Sequence, residues 1–295
     1  MTRGLPWHAT PQKPPQQEME KLAALGTSPP NRRGSRPTRS THFMKPFLLA
    51  TILAFFTTAS ASDIVIMVVE DPNNYEAPRT MRDFAEKQLR PLGHHVTIID
   101  GDKPRPHHFA GLVEALQKAD LLVLFSRRRF PPEDQMNAIR AHLAAGKPLL
   151  GIRTANNAFI PKPKEVVEPG LVPWPAFTDE VLGAPNTGYE TKGLPYIVSL
   201  APGAENSPLL AGVTPANIQG SQSLYKVLPL AADVTPLLIG TAKTDTSPPM
   251  PIAWTRHYGA RKARIFYTSL GAPEDMEIAD VRTLLVNAVN WTLKP

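Results

Sequence analysis

Asp63-Ile64-Val65-Ile66-Met67-Val68-Val69 is a nearly continuous apolar, β-branched run, and Asp71, Pro72 and Asn73 follow it closely as turn residues. Polar residues do not alternate within it, so neither side suits water. Such a run reads as a strand buried on both faces, the kind found inside a parallel sheet. Outward from it the pattern repeats. Met81, Phe84, Ala85 and Leu89 lie near helical spacing, which predicts a helix over 78–89, stopped by Pro91-Leu92-Gly93. HVTII (95–99) reads as a second strand, 109–119 as a helix with Leu112, Val113, Leu116 and Ala119 on one face, and LLVLF (121–125) as a third strand. The segment 132–145 starts with Pro, carries Glu133-Asp134 at the positive end of its dipole and has Gly146 past its end, all helix signals. PLLGI (148–152) is a fourth strand. Strands alternating with helices predict an α/β fold around an open, mostly parallel sheet with right-handed crossovers.

From Pro195 onward the texture changes. Short strands are expected at 196–200, 223–227, 236–241, 251–256 and 264–268, separated by Gly, Pro and Asp turns. A final helix is expected over 278–293, with Val281, Leu284, Leu285, Ala288 and Val289 along one side. No linker or internal repeat interrupts 62–295, which reads as one domain.

The chain has 295 residues, a formal net charge of +6 and no cysteine. Disulfides, thiol nucleophiles and Cys-based zinc sites are therefore excluded. The charge sits entirely in 1–61, where Arg3, Lys13, Lys21, Arg32, Arg33, Arg36, Arg39 and Lys45 outnumber Glu18 and Glu20. The remainder is neutral and lacks the basic footprint that a phosphate backbone requires, so no nucleic-acid partner is expected.

Residues 1–43 are rich in Pro, Arg, Gln and Ser without apolar periodicity, and they read as a disordered extension. Met44-Lys45, the apolar run FLLATILAFFTT (47–58) and Ala59-Ser60-Ala61 then give the three-part layout of a secretory signal over 44–61, with cleavage before Ser62. The run is short for a bilayer crossing, so no stable membrane span is expected. The expectation is an exported domain, periplasmic or extracellular, with translation starting at Met44.

In open parallel sheets ligands sit beyond the carboxyl ends of the strands. Candidates there are Glu70, Asp71 and Tyr75 after the first strand, Arg127 after the third, Arg153, Thr154, Asn156 and Asn157 after the fourth, and Ser269 and Glu274 after the last. Acids, guanidinium groups and amides on one rim suit a neutral polyhydroxy or weakly anionic ligand. Arg127-Arg128-Arg129 equally fits, for two of its three members, a solvated cap. His107-His108 lacks a suitably spaced third ligand, so no metal is expected; a metal-dependent hydrolase at that pair is a weaker reading. Trp174, between two prolines, fits a sugar-stacking platform or a buried loop anchor. The turn Gly151-Ile152-Arg153-Thr154-Ala155 stands where some α/β enzymes hold a strained nucleophile. Arg153 cannot be one. It fits either a guanidinium fork for an oxyanion or hydroxyl pair at a helix start, or a structural partner of Glu70 or Asp71.

Several ordered segments carry a family resemblance: AGKPLLGIRTA (145–155) with Ala158-Phe159, WPAFTDEVLG (174–183), SLYK (223–226), AWTR (253–256), FYTSLG (266–271) with Pro273-Glu274-Asp275, and the helix through Trp291. Over roughly 63–293 the chain resembles the ThuA-like (trehalose-utilisation) family. The resemblance implies a three-layer, flavodoxin-like sandwich of the class I glutamine-amidotransferase type without its catalytic cysteine. It also implies a role around trehalose, related glycosides or their keto forms. Relatives commonly carry His where this chain has Asn157, histidines in the loop that reads Ala184–Tyr189 here, and His in place of Ala272. None of these substitutes titrates near neutrality. The expected partner is a small carbohydrate, with no cofactor. Arg153, Asn156 and Asn157 would hydrogen-bond it, Trp174 and Tyr189 would wall it, and Glu70 would serve as acid or base. The alternative is a non-catalytic binding or scaffold protein whose site has decayed.

Overall fold

The computed structural model describes residues 61–103, 106–190, 194–243 and 248–294. The extension expected over 1–43, and the signal segment up to residue 60, lie outside the described residues. Strand β1 (Asp63–Val68) is followed by helix α1 (Ala77–Phe84), β2 (His95–Asp100), α2 (Leu112–Lys118), β3 (Leu121–Phe125), α3 (Glu133–Ala144) and β4 (Leu149–Ile152). Then come β5 (Tyr196–Leu200), the two-residue β6 (Gln219–Gly220), β7 (Thr235–Ala242), β8 (Met250–Tyr258), β9 (Ala263–Thr268), the single turn α4 (Pro273–Met276) and α5 (Ala279–Leu293).

The nine strands of the described residues form one sheet in the order β2-β1-β3-β4-β9-β8-β7-β5-β6. The β2-β1-β3-β4-β9 end is parallel, whereas β9-β8-β7-β5-β6 is antiparallel. The sheet is therefore mixed, not mostly parallel: without helical crossovers after β4, the later strands pair with their neighbours in reverse. The expected strand at 223–227 is also absent from the sheet. Its Tyr225 makes an isolated antiparallel bridge with Tyr189 instead.

The period of two decides where the core lies. Ile64, Ile66 and Val68 of β1 join one buried cluster with Met81 and Phe84 of α1 and Leu284, Leu285 and Val289 of α5. Val65 and Met67 join the other with Leu112 and Leu116 of α2 and Met136, Ile139 and Leu143 of α3. Strand β1 thus buries both faces, as its sequence requires. Among the described residues, no helix is long and apolar enough to cross a membrane.

The chain turns to β2 on one side of β1 and returns to place β3 on the other. The strand order reverses there, so the carboxyl ends of β1 and β3 open a crevice between them. Asn74, wholly buried, closes its floor. Its Nδ2 donates to Val69 O at 2.7 Å and Phe125 O at 3.0 Å, and its Oδ1 accepts from Thr154 Oγ1 in the turn after β4.

His142 locks the outer end of α3 to β4, with Nε2 3.0 Å from Pro148 O. Burial is the main cause that lowers its pKa from 6.5 to about 4, so it folds neutral. The unfolded chain takes up this proton near pH 6.5 and the folded protein only near 4. The associated stability is complete above the higher value and is lost as pH falls through the lower, about 3 kcal/mol in all. Urea unfolding at pH 7.5 and 4.5 should show this loss, and His142→Gln should lessen it; an unchanged pH difference in the variant would refute the assignment.

Candidate functional site

Arg153 follows β4 directly and is wholly buried. The turn it opens is a five-residue 3-10 segment (Arg153–Asn157), not the start of an α-helix, and residues 153–156 are all buried. The expected exposed helix N-terminus is therefore missing. Arg153 has a φ of 43°, Tyr75 of 53° and Arg128 of 48°. Three bulky residues in the left-handed region around one crevice mark a strained site held by its surroundings.

The Arg153 guanidinium pairs with neither Glu70 nor Asp71. Nη1 donates to Ser269 O, just beyond β9. The group lies 4.1 Å from the centre of the Tyr75 ring and 5.1 Å from that of Tyr225. Tyr267 returns a hydrogen bond from its hydroxyl to Arg153 O at 2.7 Å. Burial alone would lower the arginine pKa, but Tyr225, Tyr75, Tyr196 and Asp275 outweigh it and hold the group more firmly charged than usual. Asp275 is itself raised by burial, against the Arg153 charge and hydrogen bonds from Gly271 N and Ala272 N, both 3.0 Å, and Ser221. Nε and Nη2 of Arg153, the Tyr196 hydroxyl and Ser269 Oγ are all buried without a hydrogen bond of good geometry.

In front of this layer a cleft of about 590 Å³ opens. It is lined by Tyr75, Thr154, Asn157, Ser223 and Tyr225, by Arg127 and Arg128, by the Asn186–Tyr189 loop, and by Ile160, Pro161 and Pro163. The loop is fixed to the segment once expected as a strand: Thr187 N donates to Lys226 O at 3.1 Å, Lys226 N to Gly188 O at 2.9 Å, and Glu190 N to Leu224 O at 2.8 Å.

The family comparison matches residues 67–292 to ThuA, described as trehalose utilisation. The chain belongs to the ThuA family. Among solved structures, a protein described as ThuA-like from Parabacteroides merdae aligns with a TM-score of 0.56 at 16% identity, over 80% of this chain and 91% of that one, and supports the fold. An exo-β-1,4-mannosidase, Op5Man5, from Opitutaceae bacterium strain TAV5 aligns at TM-score 0.36 and 14% identity over 78% of this chain and 33% of its own. The N-terminal domain of mmIFT52 aligns at 0.41 and 9% identity over 78% of this chain and 98% of its own. Neither of these two carries an argument. No curated protein matches the sequence significantly.

Within this ThuA chain, the candidates Tyr75, Arg127, Thr154, Asn157 and Tyr189 all line the cleft. Arg153, Asn156 and Ser269 lie buried behind it. The remaining candidates stand elsewhere. The Glu70 carboxylate is exposed, paired with Lys103 at 2.9 Å, in a neighbouring depression with Arg79 and Arg82. Its hydrogen bond with Lys103 lowers its pKa, the opposite of what a general acid needs. Asp71 borders the same depression and holds Arg129 at 3.1 Å. Glu274 is exposed beside Ser221.

Trp174 does not wall the cleft. Its ring packs edge-on against Phe177 and under Arg140, and its Nε1 donates to Glu180 at 2.8 Å, so it anchors the 172–183 loop. His107 accepts from Phe130 N at 2.8 Å through Nδ1 and stacks on the Phe130 ring, which commits that nitrogen to structure. Among the described residues, no three His, Asp or Glu side chains are grouped to hold a metal. Sequence reasoning missed Tyr225, Ser223, Arg128 and Asn186 as lining residues. The SLYK segment of the family pattern was the available signal for the first two.

Arg153→Met should lower stability by about 3 kcal/mol, because it strands the Ser269 carbonyl and Asp275 without their cation. A urea midpoint equivalent to a loss under about 1 kcal/mol would contradict the view that this charge holds the layer together.

Proposed function

We propose that this is an exported ThuA-family protein of carbohydrate metabolism, around trehalose or a related glycoside or keto-sugar, that binds its sugar in the Tyr75–Tyr225 cleft. The carrying observation is the composition of that cleft at the strand-order reversal. Hydroxyls and amides of Thr154, Asn157, Asn186, Thr187 and Ser223 stand beside the rings of Tyr75, Tyr189 and Tyr225. Sugars are bound by this combination of hydrogen-bonding groups with flat apolar faces. A ligand of one or two rings suits a cleft of about 590 Å³.

We read the two buried clusters flanking the sheet as the three-layer, flavodoxin-like arrangement of the class I glutamine amidotransferases. Export is supported by the layout of 44–61, and N-terminal sequencing of the exported protein should begin at Ser62.

A purely binding role is favoured over turnover by one observation. The described cleft lining includes no Asp, Glu, His, Lys or Cys, and its ionisable groups are tyrosines and arginines. Burial pushes the Tyr225 hydroxyl above its usual range, so it acts as a neutral donor and not a base.

The test is a thermal-shift series with trehalose, related glycosides and their keto derivatives. A ligand at 100 times its Kd adds about 2.7 kcal/mol, which is about 5–10 °C for a domain of this size. The shift should appear with at least one of these sugars and disappear in Asn157→Ala and Tyr225→Ala. No shift with any of them would refute carbohydrate binding.

A further inference from the structure

Of the two arginines that line the cleft, one has no hydrogen-bond partner among the described residues. Arg129 is taken by Asp71 at 3.1 Å and by the carbonyls of Arg127 and Arg128. Arg128 donates to Ile160 O at 2.7 Å. Arg153 is spent on Ser269 O and the tyrosine rings. The Arg127 guanidinium lines the cleft, half-buried, and makes no hydrogen bond or ion pair with any described residue.

The acids nearby are already engaged. Asp71, which feels the Arg127 charge, is bonded to Arg129 and Asn73 N, and Asp275 is capped by backbone N–H groups behind the floor. Glu165, on the loop beyond Arg128, accepts from Lys162 N at 2.6 Å. The cleft therefore combines the positive charge of its arginines with neutral hydroxyls and amides.

We propose that the ligand is a sugar acid, a polyhydroxy compound with a single carboxylate that pairs with Arg127. This rests on the carbohydrate reading above and names the substrate class within it. A guanidinium fork matches a carboxylate with two parallel hydrogen bonds. A phosphate dianion would call for a second open guanidinium, and Arg128 commits Nη1 to Ile160 O.

The experiment is calorimetric titration of the full chain with glucose, glucuronate, glucose 6-phosphate and acetate at constant ionic strength. Glucuronate should bind about tenfold or more tightly than glucose, the value of one charge-assisted hydrogen-bonded contact. Acetate should bind far more weakly than glucuronate, and glucose 6-phosphate no better than it. Arg127→Gln should bring glucuronate to within about twofold of glucose, Arg127→Lys should keep part of the preference, and Arg79→Gln, in the neighbouring depression, should keep all of it.

Equal binding of glucose and glucuronate would remove the acid while leaving the carbohydrate reading. Binding of no sugar at all would remove both. Acetate binding as tightly as glucuronate would reduce the site to a general anion trap, and tighter binding of the phosphate would replace the carboxylate. A preference that survives in Arg127→Gln would place recognition at another residue, and each of these results overturns the proposal.

Discussion

A fully buried positive charge is the constraint that organises this molecule. Burying the Arg153 guanidinium costs several kcal/mol unless its surroundings compensate. The Ser269 carbonyl takes one nitrogen, and the faces of Tyr75 and Tyr225 cover the group. Cation–π contacts gain strength when desolvated, to about 2 kcal/mol, and Asp275 supplies a counter-charge further back. These partners come from the loop after β1, the segment before β7 and the turn after β9. The arginine therefore ties together parts of the chain that are distant in sequence. Arg153 and Tyr75, whose side chains meet, both have left-handed backbone, and the layer around them sustains that strain.

The sheet explains why the layer sits where it does. The parallel half creates a crevice where β1 and β3 diverge, and Asn74 seals its base with hydrogen bonds to the ends of both strands and to the β4 turn. The antiparallel half contributes Tyr196 from β5, while β9, which pairs with both halves, contributes Tyr267. A parallel sheet alone would give the crevice but not the aromatic wall. The Asn186–Tyr189 loop, pinned to Leu224–Lys226, turns the crevice into a cleft.

Much of this was legible beforehand. The run at β1 announces a strand buried on both faces, those at β2 to β4 announce strands, and the spacing in α1, α2 and α5 shows which side each buries. Of the rim of strand ends, Tyr75, Arg127, Thr154 and Asn157 line one cleft, and Tyr189, which came from the family resemblance, lines it too. Direction was less legible. Position after a strand does not say which way a side chain leaves it, and Glu70 turns out towards Lys103. A tryptophan between two prolines carries no mark of its partner, and Glu180 settles Trp174 as an anchor. The Ser223–Val227 segment has the composition of a strand, but its bridge is to Tyr189 in a loop. The burial of Arg153 was invisible because charge predicts exposure, and the tyrosines that reverse that expectation come from remote segments.

The central claim is that ligand binds in the cleft in front of the buried arginine layer. A crystal structure of the protein soaked with a sugar acid tests it most directly. The account predicts density between Tyr75, Tyr189 and Tyr225 with the carboxylate at Arg127. Density in the depression beside Glu70 and Lys103, with the tyrosine cleft unoccupied, would contradict it.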